Sequence, residues 1–257
     1  MSTHPKVDRK GGKACPATGN THDYQAPGEG DSRSVCPALN AMANHEYIRR
    51  DGKKLSTLEL YRGLKACYGL SSPLAGILVA GAWLLFGRFG RITLFDIGRH
   101  NAIEHDASVV HLDCPPGEKY APIAIQQDFV NDFAEHVRQA ASTAAGRELA
   151  EAEVVVTMHD MAATRVRRES SSKSLDVIHA NIASGELAAI LDIWNRTVDG
   201  KQGVPLPWIR TWLSLERLPE GWRPDHTQTL RNQLKGVKAI RAEMKKIRDE
   251  EAAAAKS

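Results

Sequence analysis

Three groups of residues have types and spacings that can do chemistry. The first is Cys36, which directly precedes Pro37. Proline suits the first position of a helix, and Ala38, Leu39, Met42 and Ala43 continue it with one apolar face. A cysteine at that junction meets unpaired backbone N–H groups, a setting expected to stabilise a thiolate and lower its pKa. A thiolate there can serve as a nucleophile or as an iron ligand. A buried, inert cysteine fits the same local pattern.

The second group is Glu104-His105-Asp106 followed by Ser108, with His100 close by. Polar groups this dense read as a cation site, an acid–base site or a solvated helix end. A zinc hydrolase is disfavoured by spacing. His100 and His105 are five residues apart, which turns about 140° around a helix, whereas zincin histidines lie about one turn apart. The third group surrounds Glu186, whose helix face carries His179, Ile182, Ala183, Ala189 and Ile190. Burying a carboxylate on such a face is costly without a task or a partner. The alternative is a glutamate at the helix edge, in water.

These residues need elements to position them, and the signals are helical almost throughout. After the helix at Pro37, Ser56-Thr-Leu-Glu59 is a capping box that opens a helix through about Tyr68. Ser72-Pro73 starts an apolar core helix. Asp96 caps a short helix through about Val109. Further helices are expected over Gln126–Ala145, 147–170, Ser174–Ile193, Pro207–Leu215 and Thr227–Ala255. Val154–Thr157 is the only β-branched run and sits inside a helical pattern, and 113–122 reads as loop. The fold class is therefore all-α, with a loop-rich N-terminal arm. The basic run Arg165, Arg167, Arg168 reads as a solvated face, with anion binding as the alternative, and the segment Lys235–Arg248 as a solvated helix, with a partner contact as the alternative.

Composition bounds the function. The chain has 257 residues, 42% apolar, with a formal charge of +3, which allows a sizeable core and gives no basic excess for nucleic acid. Cysteines at 15, 36, 67 and 114 form no CxxC pair, against a zinc ribbon or a disulfide scaffold. The apolar stretch Leu74–Phe86 is too short for a membrane span, and the polar N-terminus has no apolar signal segment. An intracellular enzyme is the expectation.

At its chemical residues the sequence resembles a known family, the fungal haem-thiolate peroxidases, which include chloroperoxidase and the short-type unspecific peroxygenases. The matching stretches are Tyr24-Gln-Ala-Pro-Gly-Glu-Gly-Asp31, Ser34-Val-Cys36-Pro37-Ala-Leu-Asn40, Ala43-Asn44-His45 and Arg50-Asp51-Gly52. Then come His100-Asn-Ala-Ile-Glu104-His105-Asp106-Ala107-Ser108, Ser184-Gly185-Glu186, Glu216-Arg-Leu-Pro219 and Gly221-Trp222. They run in the family's order over residues 22–224. The organisation implied is a flexible arm over 1–21, one compact multi-helix haem domain over 22–224 and a charged C-terminal helix over 225–257.

By that resemblance Cys36 is the axial ligand of a haem b, with Pro37 and Ala38 beside the cofactor. Glu104, the His105 backbone carbonyl and Ser108 hold a divalent cation, magnesium or manganese, against a haem propionate. Glu186 is the distal acid–base residue and His105 supports it. His179, Ile182, Ala183, Ala189 and Ile190 line the substrate pocket. The implied partners are hydrogen peroxide and a small organic substrate, with oxygenation, peroxidation and halide oxidation all open. Val35 departs from the family's common Pro-Cys-Pro. His179 stands where the long peroxygenases carry an arginine, so the chain resembles the short type. A haem-binding sensor would keep Cys36 without needing Glu186, and a metal-dependent hydrolase would use Glu104, His105 and Asp106 without haem.

Overall fold

Local capping signals start most of the helices. The computed structural model describes residues 21–87 and 90–255, and all but Thr21 of the expected 1–21 arm lies outside them. Helix α1 (Pro37–Asn44) has Cys36 as its N-cap residue and Pro37 in its first turn. Helix α2 (Thr57–Tyr68) starts where the Ser56 hydroxyl accepts from the Glu59 N–H and stops at Gly69, φ 69°. Helix α3 (Ser72–Phe86) buries Leu74, Ala75, Val79, Trp83 and Phe86. Helices α4 (Gln127–Ala145), α5 (Met158–Ser170), α6 (Val177–Ile193), α7 (Leu206–Leu215) and α8 (Leu230–Ala254) follow. The described residues are thus mostly helical, as the sequence predicts. No helix among them is long and apolar enough to cross a membrane.

Three departures from the sequence reading have clear physical causes. The helix expected over 147–170 is broken. A 3-10 turn at Glu151–Glu153 leads into strand β1 (Val155–Val156), and α5 begins only at Thr157, whose N–H donates to Asp160 Oδ2 at 2.8 Å. The β-branched valines follow their strand preference because a strand lies ready to pair with them. That strand is β3 (Lys201–Pro205), which also pairs with β2 (Arg196–Val198), giving antiparallel order β1-β3-β2. The β2–β3 turn is Asp199-Gly200, both at positive φ, the geometry a two-residue hairpin demands. The helix expected from Asp96 to Val109 shrinks to a 3-10 turn, Leu94–Gly98, capped by Thr93. Beyond it Asn101 and Ala107 take positive φ, which no α-helix tolerates.

The C-terminal helix is not a solvated rod. One face of α8 buries Ile240, Met244 and Ile247 and packs against α5 and α6. Gln233 Nε2 donates to the Gly185 carbonyl at 2.8 Å, and Arg241 Nη1 to Asn181 Oδ1 at 2.7 Å. The helix carrying Glu186 is therefore backed along its length. On its other side an aromatic cluster fixes it: Trp194 lies 4.3 Å from the Trp222 ring, 5.3 Å from Trp212 and 6.4 Å from Tyr68.

The α6–α8 contact is closest at Gly236, where an added Cβ would stand 2.9 Å from the Ala188 Cβ. Neither atom can swing aside. Gly236→Leu gains helix propensity, so any loss reports the clash. We expect it to lower stability by about 1–3 kcal/mol in urea melts, and an unchanged midpoint would contradict the packing described.

Candidate active site

Cys36 owes its position to a buried polar frame. Asn40 Oδ1 accepts from the Ser34 N–H (2.8 Å) and Asn40 Nδ2 donates to the Ser34 carbonyl (2.7 Å). The Ser34 hydroxyl accepts from the Cys36 N–H at 3.0 Å. Asn40 Nδ2 also donates to Glu216. Arg33 reaches Asn44 Oδ1 through Nε (2.9 Å) and Nη2 (2.7 Å), and the Tyr68 hydroxyl donates to the Ala38 carbonyl at 2.8 Å. Above this frame Val35, Cys36, Pro37, Ala38 and Leu39 stay partly accessible, whereas Asn40–Asn44 are buried. The thiol does not behave as the sequence suggests. Burial pushes it up to about 11, and the Leu39 and Ala38 N–H groups offset that only in part. Desolvation exceeds the helix-end effect here.

Glu186 acts on that thiol electrostatically, so the structure brings the two sequence-predicted groups to one site. Glu186 Oε2 is 3.5 Å from His105 Nε2, and the Glu186 side chain is 56% exposed whereas that of His105 is 5% exposed. The His105 Nδ1–H donates to the Asp106 carbonyl at 2.8 Å, which turns Nε2 toward the carboxylate. Although its side chain reaches an opening, the protein around Glu186 desolvates the carboxyl and opposes its ionisation; His105, Arg165 and His111 outweigh this and hold it below its usual range. Burial likewise lowers His105, and Glu186 overcomes it, leaving the imidazole raised. The couple is a carboxyl and an imidazole, each favouring the other's charged form, between which a proton can pass.

The other predicted residues fall around this couple. His179 is buried, its Nδ1 2.6 Å from Asp176 Oδ2, with its ring 6.3 Å from that of His105. Ile182 and Ala189 are partly accessible and Ala183 is buried. Ile190 lines a small internal apolar void with Val109, Phe133, Met161, Thr164 and Leu213. His100 Nδ1 lies 2.8 Å from Glu104 Oε2. Donor atoms of His100, Glu104 and Asp106 lie within 4.8 Å of one another. Ser108 Oγ accepts from Val110 N (3.2 Å) and His111 N (3.1 Å).

Two site residues were misjudged or missed. Of the arginines of α5, Arg167 is exposed as expected, but Arg165 is buried, 2% exposed. Its Nη1 donates to the Ala107 carbonyl at 2.6 Å, and Arg168 Nε to the Ser108 carbonyl at 2.7 Å. The available signal was an arginine on the stripe formed by Met161, Ala162 and Val166. His111, 1% exposed, stands near enough to Val35 and Glu186 for each to favour its charged form, although burial lowers it overall. Cys36, Cys67 and Cys114 are unpaired thiols.

Comparison with known proteins decides the family. The family described as "Peroxidase, family 2" matches residues 22–227. The chain belongs to that family. Its relatives include the chloroperoxidase of Leptoxyphium fumago, 28% identical over 234 residues, covering 83% of this chain and 60% of that protein. A dothistromin biosynthesis peroxidase of Dothistroma septosporum is 40% identical over 62 residues, 24% of this chain and 15% of that protein. An aromatic peroxidase of Fusarium equiseti is 41% identical over 59 residues, 22% and 13%. The chain thus spans less than two thirds of the length of these relatives. The resemblance to fungal haem-thiolate peroxidases drawn from the motifs is borne out.

Within this family 2 peroxidase the frame under Cys36 carries its own titration. Burial raises Glu216 from 4.5 to about 7, against the Asn40 hydrogen bond and the Arg33 charge. The folded state therefore favours the protonated acid. That contribution is complete below about pH 4.5 and is lost as pH rises through about 7. The shift corresponds to about 3 kcal/mol at most. Glu216→Gln keeps an acceptor for Asn40 and removes the charge, so it should be more stable than wild type at pH 8, and the gain should vanish at pH 4.5. Thermal melts at both values test this, and equal melting at pH 8 contradicts it.

Proposed function

We propose that this protein is a peroxide-dependent oxidoreductase of the haem-thiolate type, acting on small organic molecules. One observation carries the reading: a helix-capping cysteine and a carboxyl–imidazole couple share one electrostatic site. Family membership supports it, and similarity to the aromatic peroxidase of Fusarium equiseti favours aromatic compounds as substrates.

The residues present fit a haem. Cys36 is a partly accessible residue on a rigid frame, with Pro37 and Ala38 partly accessible beside it. Its thiol, raised to about 11, becomes a thiolate when a metal cation binds it. Buried polar atoms without partners, Arg165 Nη2 and His179 Nε2, are suited to a polar ligand. Haem held by a thiolate supplies O–O bond cleavage.

The chain's own residues do the rest. Glu186 takes the proton from one oxygen of hydrogen peroxide and returns it to the other. His105, fixed by the Asp106 carbonyl, holds the proton partner of that exchange and keeps the carboxylate aimed. Positioned acid–base transfer of this kind contributes about 10²–10⁴-fold. The partly accessible Ile182 and Ala189 offer an apolar wall to the substrate, with Ala183 and His179 behind them. For the divalent cation, Glu104 is the common member of two donor sets. The resemblance adds the His105 carbonyl and Ser108, but both Ser108 lone pairs already accept N–H groups. Proximity adds His100 and Asp106. A histidine nitrogen in the set favours manganese over magnesium.

Glu186→Gln should keep the haem spectrum and lose peroxide-dependent turnover by about 10²-fold or more. Near wild-type turnover would remove Glu186 from the mechanism. Cys36→Ala should lose the thiolate signature of the reduced carbon monoxide complex. A persisting signature means another ligand, and a protein that takes up no haem overturns the reading as a whole.

A further inference from the structure

Arg165 has one more donor than the described fold uses. It is the most enclosed guanidinium of the described residues, at 2% exposed. Nε donates to Glu169 Oε1 at 2.9 Å and Nη1 to the Ala107 carbonyl at 2.6 Å. Nη2 is buried and has no partner. Leaving such a donor unmet inside a protein is unfavourable, more so for a charged group. Its ion-pair partner is also shared. Glu169 is shared with Arg248, which contacts Glu169 Oε2, so two guanidiniums meet one carboxylate. Arg168, one turn on, pairs Asp113 at 3.4 Å. Glu186 feels Arg165 but lies outside ion-pair distance of it.

The place is as informative as the charge. Arg165 grips the carbonyl of Ala107, a non-glycine residue at φ 63°, while Asp113 Oδ1 accepts the Ala107 N–H at 2.8 Å. Backbone held in that region persists only where its surroundings over-determine it, and such places cluster at ligand sites. The spare donor thus sits against the Glu104–Ser108 loop, where Ser108 has no lone pair left for a cation. A fixed, buried guanidinium nitrogen without an acceptor calls for an oxygen ligand, and a carboxylate is the strongest one for it.

We infer that Arg165 binds a carboxylate of the cofactor, pairing through Nη2 with a haem propionate. This rests on the haem reading above. Arg165 then joins two parts of the site, because one guanidinium orders the acid–base loop through Nη1 and anchors the cofactor through Nη2. Arg168 orders the same loop through Ser108 but has no unmet buried donor.

The test is a chemical and mutational cycle on the full-length apoprotein. Binding of iron protoporphyrin IX and of its dimethyl ester, which lacks the propionate charges, is followed by visible titration. Each ligand is titrated with and without a chelator, against wild type, Arg165→Gln, Arg165→Lys and Arg168→Gln. Wild type should prefer the free acid by about tenfold, the size of one charge-assisted hydrogen bond. The preference should persist with chelator and in Arg168→Gln, and collapse in Arg165→Gln. Arg165→Lys, with one donor site for two acceptors, should fall in between, and it serves if the glutamine variant does not fold. A preference that survives loss of Arg165, disappears on chelation or is absent in wild type overturns the pairing. Failure of wild type to bind either porphyrin overturns the haem reading instead.

Discussion

Everything at the sulfur depends on one amide. Asn40 binds both backbone groups of Ser34, at 2.8 and 2.7 Å, and donates to Glu216 as well. Through the Ser34 hydroxyl this sets the Cys36 N–H, and the extended backbone at Cys36 then hands the chain to Pro37 and α1. A buried polar network of this kind rigidifies when its members are satisfied and fails cooperatively when one is removed. The frame reaches far in sequence: Glu216 ends α7, Arg33 precedes the cysteine loop, and Tyr68 ends α2. A thiol that must meet a partner at fixed geometry is thus carried by four separate segments, and α1 alone would not hold it.

The acid–base side repeats this arrangement around a residue at positive φ. His105 points its Nε2 at Glu186 because its Nδ1 is committed to the Asp106 carbonyl. That turn exists because Ala107 is held at positive φ by Asp113 on one side and Arg165 on the other. Helix α5 therefore orders the loop, and helix α6 presents the glutamate. Helix α8 braces both from behind, through Gln233 on Gly185 and through Arg248 on Glu169. Its footing lies beyond residues 22–227, so this chain supports a family site with a segment outside the family match.

Helix starts and stops were legible because they are local. Ser56 with Glu59, Pro37 after Cys36 and Gly69 after Tyr68 each act within a turn, and the structure uses all three. The valine pair at 155–156 was not legible, since its strand partner lies some fifty residues away and a helical period covers it equally well. The motif residues Cys36, Glu104, His105 and Glu186 could be named in advance because they stand in the order of a known family; on local physics alone an inert cysteine and a solvated glutamate fit as well. Arg165 was misread because a basic residue is usually solvated. Only the tertiary fold shows that Met161, Ala162 and Val166 carry it inward. The ionisation of Cys36 was misread for a related reason: the helix end is visible in sequence, but the desolvation that opposes it is not.

That last reversal bears on how the site is organised. Burial holds the Cys36 proton on, and the charge of Glu186 adds to the effect. The carboxylate needed for proton transfer therefore disfavours a free thiolate in the same site. A cation at the sulfur reverses both contributions at once, since it replaces the proton and offsets the negative charge of Glu186. On the proposed reading, in which Cys36 binds a metal cation, burial keeps the cysteine protonated until that cation binds, and this limits oxidation of a sulfur that reacts in its thiolate form. Burial would then select between two states of one residue, and the proposed ligand would be what changes the state.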